Sequence, residues 1–209
     1  METNFIYTLS KPTNQTKEKH PAIFLMHGMG SNENDLPSIV EELKNDFYIF
    51  SLRGPLSQPP GYSFFTIERI GLPHQELFTK VLKEIQDFIQ EAKDHFEIDE
   101  NGIYLLGFSQ GAILSQSLAS ILGNQIAGIV SLSGYLPELV ESMENSPMNG
   151  LRVFIAHGEQ DQIIPFSWSE RSKKYFEEKG AEVSYHTYQG GHFLTQEVVN
   201  KILEFFKNA

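Results

Sequence analysis

The sequence predicts an α/β fold with a mostly parallel central sheet flanked by helices, and three observations carry that expectation. Short apolar runs bounded by Gly, Pro or polar residues recur along the chain. Longer amphipathic stretches separate them. No internal repeat, low-complexity tract or linker divides the 209 residues, a length that suits one domain over residues 1–209.

Phe5 to Leu9 comes first and is a weak strand, expected near an edge. Ala22 to Met26, Phe47 to Leu52, Ile103 to Phe108, Ile126 to Leu132 and Arg152 to Ala156 are stronger. Continuous apolar runs of this kind suit strands buried on both faces, as in a parallel sheet. Val183 to Tyr188 is a second edge candidate.

Helical patterns lie between them. Leu77, Val81, Leu82, Ile85, Phe88 and Ile89 recur at spacings of three and four, with Lys80, Lys83, Glu84, Asp87 and Glu91 on the opposite side. Leu36 to Leu43, Gln110 to Leu122, Trp168 to Glu178 and Glu197 to Phe206 are further helices, and Gly180 stands where the third of these should stop. Right-handed crossovers between parallel strands leave the strands' carboxyl ends on one rim, where a site is expected.

Composition narrows the function. The 40% hydrophobic and 21% charged fractions are those of a soluble globular protein. A net charge of −11, from 16 basic and 27 acidic residues, makes nucleic acid a poor partner, since phosphate binding needs positive charge. Apolar stretches such as Ala22 to Met26 fall far short of the roughly 20 residues a spanning helix needs, so no stable membrane insertion is expected. The first twenty residues contain no apolar block that reads as a secretory signal. Cysteine is absent, which excludes disulfides, thiolate zinc sites and a cysteine nucleophile, and agrees with a cytoplasmic setting. No metal-ligand cluster or cofactor motif is visible.

Gly107-Phe108-Ser109-Gln110-Gly111 is a G-x-S-x-G motif between an expected strand and an expected helix. A serine projecting from so sharp a turn needs flanking positions nearly without side chains, and this context makes Ser109 the candidate nucleophile. A bare hydroxyl needs a base, and the base needs a group that fixes its tautomer. Asp161 and His192 follow later expected strands in the order serine, acid, histidine, and are the candidates for those roles. Glu159 is the rival acid on the same loop. His186 alternates within a strand and His157 closes one, so packing or a turn is the default role of each.

An oxyanion needs preorganised N–H donors. Gln110, directly after the serine, supplies one, and the loop His27-Gly28-Met29-Gly30 after an early strand supplies another. Met29 is the assigned donor and Gly28 the runner-up, with His27 fixing the loop.

HGMGSNENDL, LRGP followed by GYSFF, GFSQGA, LSGYLP, HGEQDQIIP and GGH, taken together from Met26 to His192, resemble the phospholipase/carboxylesterase family that includes the acyl-protein thioesterases. The resemblance implies a compact α/β-hydrolase without a large cap domain, with Ser109, Asp161 and His192 as catalytic triad and Met29 and Gln110 as oxyanion donors. It implies small ester or thioester substrates, no cofactor, and room for a homodimer. Tyr62, Phe64, Phe65, Leu136 and Ile163 are candidates to line an acyl pocket. The segment from Ser57 to Pro73 is short, which points to short or medium acyl chains. Long-chain lysophospholipase or acyl-protein thioesterase activity is the alternative, and a binding protein on an inactive hydrolase fold is the non-enzymatic one.

Overall fold

The computed structural model describes residues 3–14, 16–143 and 145–207. A seven-stranded sheet forms its centre. The strands are β1 (Tyr7–Ser10), β2 (His20–Met26), β3 (Tyr48–Leu52), β8 (Ile98–Phe108), β9 (Gly128–Leu132), β10 (Arg152–Gly158) and β11 (Glu182–Tyr188), in spatial order β1-β3-β2-β8-β9-β10-β11. Only β1 runs antiparallel, against β3, while every other pairing in the sheet is parallel. The two weaker strand candidates are the two sheet edges.

Alternate residues of β2 supply two cores. Ala22, Phe24 and Met26 join the cluster covered by α1 (Gln75–His95), α2 (Gln110–Leu122), α3 (Glu138–Glu141) and α4 (Phe166–Glu178). Ile23 and Leu25 join the opposite cluster with α5 (Gln196–Lys207). Phe24 and Phe50 are register partners whose rings stack at 5.0 Å, so the central strands are locked by aromatic as well as ladder contacts.

Local departures from the sequence reading have physical causes. Pro37–Leu43 is a 3₁₀ segment broken at Val40, not an α-helix. Val40, at the break, and Leu43 are its buried residues. β8 begins at Ile98, five residues earlier than its apolar run, because polar Asp99 to Asn101 sit where the register against β2 shifts. The segment after β3 forms two small hairpins, β4 (Leu56–Gln58) with β5 (Gly61–Ser63) and β6 (Ile67–Arg69) with β7 (Leu72–Pro73). Gly180, with φ +85°, ends α4 as expected. No helix among the described residues is long and apolar enough to cross a membrane.

Candidate active site

Ser109 stands between the last residue of β8 and the first of α2, at φ 52°. Positive φ is costly for a residue with a Cβ, and the neighbours relieve the crowding that the turn creates. A Cβ on Gly107 would lie 2.1 Å from the Gly111 carbonyl, and one on Gly111 would lie 1.8 Å from the Met26 carbonyl oxygen. Both positions therefore exclude any side chain. The Ser109 N–H donates to Leu132 O at 2.8 Å, which ties the turn to the end of β9.

The structure brings the three residues singled out for acyl transfer into one hydrogen-bonded line. Ser109 Oγ donates to His192 Nε2 at 2.8 Å, and His192 Nδ1 donates to Asp161 Oδ2 at 2.7 Å. An ionised carboxylate only accepts, so Nδ1 carries the proton and Nε2 is free to accept. The other carboxylate oxygen, Oδ1, accepts from the N–H groups of Ile163 and Ile164 at 2.8 and 2.9 Å. Burial pushes the Asp161 carboxyl up, but the His192 bond and those two N–H groups outweigh it and hold the group below its usual range.

The loops that carry acid and base are joined through backbone. Glu159 N–H donates to Tyr188 O at 3.0 Å and Gln160 N–H to Gly190 O at 2.9 Å. A Cβ on Gly158 would lie 2.5 Å from Gly190 O, so this close approach requires glycine. Tyr188 Oη donates to Phe193 O at 2.7 Å and steadies the turn just past His192.

The rival residues take other partners. Glu159 accepts from Thr187 Oγ1 at 2.8 Å and from Gln189 Nε2. His186 lies on the Phe154 ring, 4.8 Å between centroids. His157 is buried behind Asp161.

The loop that carries the candidate oxyanion donor Met29 lies beside the serine, since a Cβ on Gly28 would stand 3.4 Å from Ser109 Cβ. Its next two N–H groups are engaged, Gly30 with Tyr62 O at 2.8 Å and Ser31 with Gly28 O at 3.2 Å. Gln110 opens α2, where first-turn N–H groups have no intrahelical acceptor. His27 fixes the loop from within: Nδ1 donates to Gly28 O at 2.7 Å, and Nε2 accepts from Gly54 N–H at 3.0 Å. Burial holds His27 below the ordinary imidazole range, consistent with this neutral arrangement.

The acyl-pocket expectation needs correction at three positions. Phe64, Phe65 and Leu136 are buried in the core, with Phe65 edge-on to Phe78 at 4.8 Å. Phe64 and Phe65 pack the segment between the two small hairpins onto the body, since so few ladder bonds need apolar side chains to hold it, and Leu136 does the same for the loop between β9 and α3. Tyr62 is half-buried under the Arg53 guanidinium, 4.5 Å from its ring centroid. Ile163 is 54% exposed and open to a ligand. Met29 and Phe193, each next in chain to a site residue or one itself, are exposed as well.

Two structural devices escape sequence reading. The Gln110 side chain bridges Phe64 N–H and Phe65 O, and Arg53 forms a two-point pair with buried Glu33. Their partners lie 46, 45 and 20 residues away, beyond any local pattern.

Residues 11–209 match the model of the phospholipase/carboxylesterase family. The putative hydrolase MhqD of Bacillus subtilis (strain 168) is 28% identical over 90% of this chain and 92% of its own length. Acyl-protein thioesterase 1 of Candida albicans is 29% identical over 94% and 95%. Among solved structures, the Bacillus cereus carboxylesterase superposes with a TM-score of 0.88 at 29% identity, covering 98% of this chain and 94% of that one.

Proposed function

The chain belongs to the phospholipase/carboxylesterase family, and from that premise we propose a serine hydrolase cleaving esters or thioesters of short to medium acyl chains through a Ser109 acyl-enzyme. The observation that carries this reading is the unbroken Ser109–His192–Asp161 line at 2.8 and 2.7 Å.

In this mechanism Ser109 Oγ attacks the acyl carbon while its proton passes to His192 Nε2. The carbonyl electron pair moves onto oxygen, where the N–H groups of Met29 and Gln110 receive it. Collapse breaks the bond to the leaving alcohol or thiol, which takes the proton from His192. Water then gives a proton to His192, attacks the acyl-enzyme, and releases the acid as Ser109 recovers its proton. Asp161 stays ionised throughout, holding Nδ1–H and offsetting the transient imidazolium charge.

The chain-length reading is supported by the short hairpin segment, whose Phe64 and Phe65 are taken up by packing. Met29, Ile163 and Phe193 then offer single exposed apolar contacts next to the reacting groups in the chain. A single domain over residues 1–209, a cytoplasmic setting and a homodimer belong to the same proposal, the last checked by light scattering on the purified protein.

Covalent labelling tests the core of the reading. A fluorophosphonate should modify the wild-type protein at Ser109 and leave Ser109→Ala unlabelled. Modification at another residue, or none in active protein, rejects it.

A further inference from the structure

We propose that His157 is a positioning residue for the acid: its Nε2–H donates into the Asp161 loop and fixes the carboxylate oxygen that receives His192. The proposal rests on the reading of Ser109, His192 and Asp161 as the reacting relay.

His157 is the penultimate residue of β10 and is fully buried. Its Nε2 lies 3.0 Å from Ile164 O and 3.3 Å from Asp161 Oδ2. A carbonyl only accepts, so Nε2 carries the proton. Nδ1 is buried and has no hydrogen-bond partner among the described residues. Protonating it would bury an unpaired charged N–H, so the ring is held neutral and in one tautomer. Desolvation, the main influence on this ring, acts the same way and keeps its proton affinity low; Asp161 opposes it and His192 adds to it.

The consequence falls on Asp161. Its Oδ1 is taken by two backbone N–H groups, and Oδ2 faces both His192 Nδ1 at 2.7 Å and His157 Nε2 at 3.3 Å. Three donors therefore bond this carboxylate directly, while the single N–H of His157 goes to Ile164 O and its ring lies against Oδ2. Ile164 gives its N–H to Asp161 and its carbonyl to His157, so the imidazole ties the whole turn to β10. The acid sits on a loop, yet it takes its orientation from the sheet. Since His192 is aligned by Oδ2, a carboxylate free to rotate would misalign the base without touching the substrate.

The test combines spectroscopy with two substitutions. A long-range nitrogen–proton correlation spectrum of isotope-labelled wild-type protein near neutral pH should show His157 as the neutral Nε2–H tautomer. Finding the Nδ1–H tautomer or the cation overturns the proposal, and this arm needs no variant. His157→Leu removes the donor, whereas His157→Gln returns an N–H at a similar reach. With p-nitrophenyl butyrate, His157→Leu should lose at least about tenfold in kcat with KM changed less than about twofold, as expected for misplacement without lost binding. The His192 Nδ1–H resonance should shift or broaden in the same variant, and His157→Gln should recover kcat to within about threefold of wild type. Equal kcat in the Leu variant with an unmoved His192 resonance, or Leu and Gln variants equally impaired, would overturn it. Should the Leu variant fail to fold, the tautomer and the Gln variant decide. Failure of Ser109 labelling would remove the catalytic reading alone and leave the His157 tautomer unaffected.

Discussion

Gln110 grips Phe64: its Oε1 accepts the Phe64 N–H at 2.6 Å while its Nε2 donates to Phe65 O at 2.8 Å. The residue after the nucleophile thus satisfies two backbone groups of the bend that joins β5 to β6. One residue serves both as candidate oxyanion donor, through its backbone, and as anchor of the aromatic loop, through its side chain.

Replacing Gln110 should therefore cost stability as well as rate. Gln110→Met keeps the backbone N–H but leaves the Phe64 N–H and Phe65 carbonyl buried without partners, at about 1–3 kcal/mol for each group. Urea unfolding should register a loss in that range or above. A midpoint equal to wild type would mean that the segment finds other partners.

Ser109→Ala should lower kcat by at least about 10³-fold with KM nearly unchanged, because covalent catalysis is lost and binding is not. Asp161→Asn should cost a comparable factor, about 10⁴-fold, since an amide favours the wrong imidazole tautomer. Glu159→Gln and His186→Ala should stay within about threefold of wild type, as neither side chain contacts the relay. Steady-state kinetics on all four variants checks the set, and an inactive His186→Ala would reassign the base.

Stability should fall as the solution is acidified. His27, His157 and His186 are all held below the ordinary imidazole range, chiefly by burial. The unfolded chain then binds more protons than the folded one once pH drops below about 6.5. Their contribution is complete above that value and is lost as pH falls through the folded-state values. Glu33, lowered by its Arg53 partner, and Asp161 extend the loss below about pH 4. Urea unfolding across this range should show a shallower slope below pH ~6.5 in His157→Gln. An unchanged slope would place the proton uptake elsewhere.

Acyl preference separates the esterase from its long-chain alternative. A groove that buries methylenes gains about 0.8 kcal/mol for each until it is full. The kcat/KM series from nitrophenyl acetate to palmitate, each ester below its micelle threshold, should peak at roughly two to eight carbons. A maximum at about twelve or more would favour the lipid-deacylating reading. Ile163→Ala should weaken the longer members of the favoured range. Phe65→Ala, a core truncation against Phe78, should instead cost about 3–5 kcal/mol of stability.

The sequence alone determined the sheet-and-helix alternation and the candidate relay. Those features are written locally: apolar runs mark buried strands, and Gly107 and Gly111 are demanded by a turn that starts and ends within five residues. Ser109, Asp161 and His192 could each be placed at a strand end because α/β topology gathers those ends on one rim. Only the tertiary structure decided what holds them there. Whether Phe65 faces a ligand or Phe78, whether Gln110 reaches Phe64, and whether His157 turns toward Asp161 depend on contacts between distant segments. Such contacts are fixed by close packing and by the need to pair buried polar groups, and neither leaves a periodic trace in the chain.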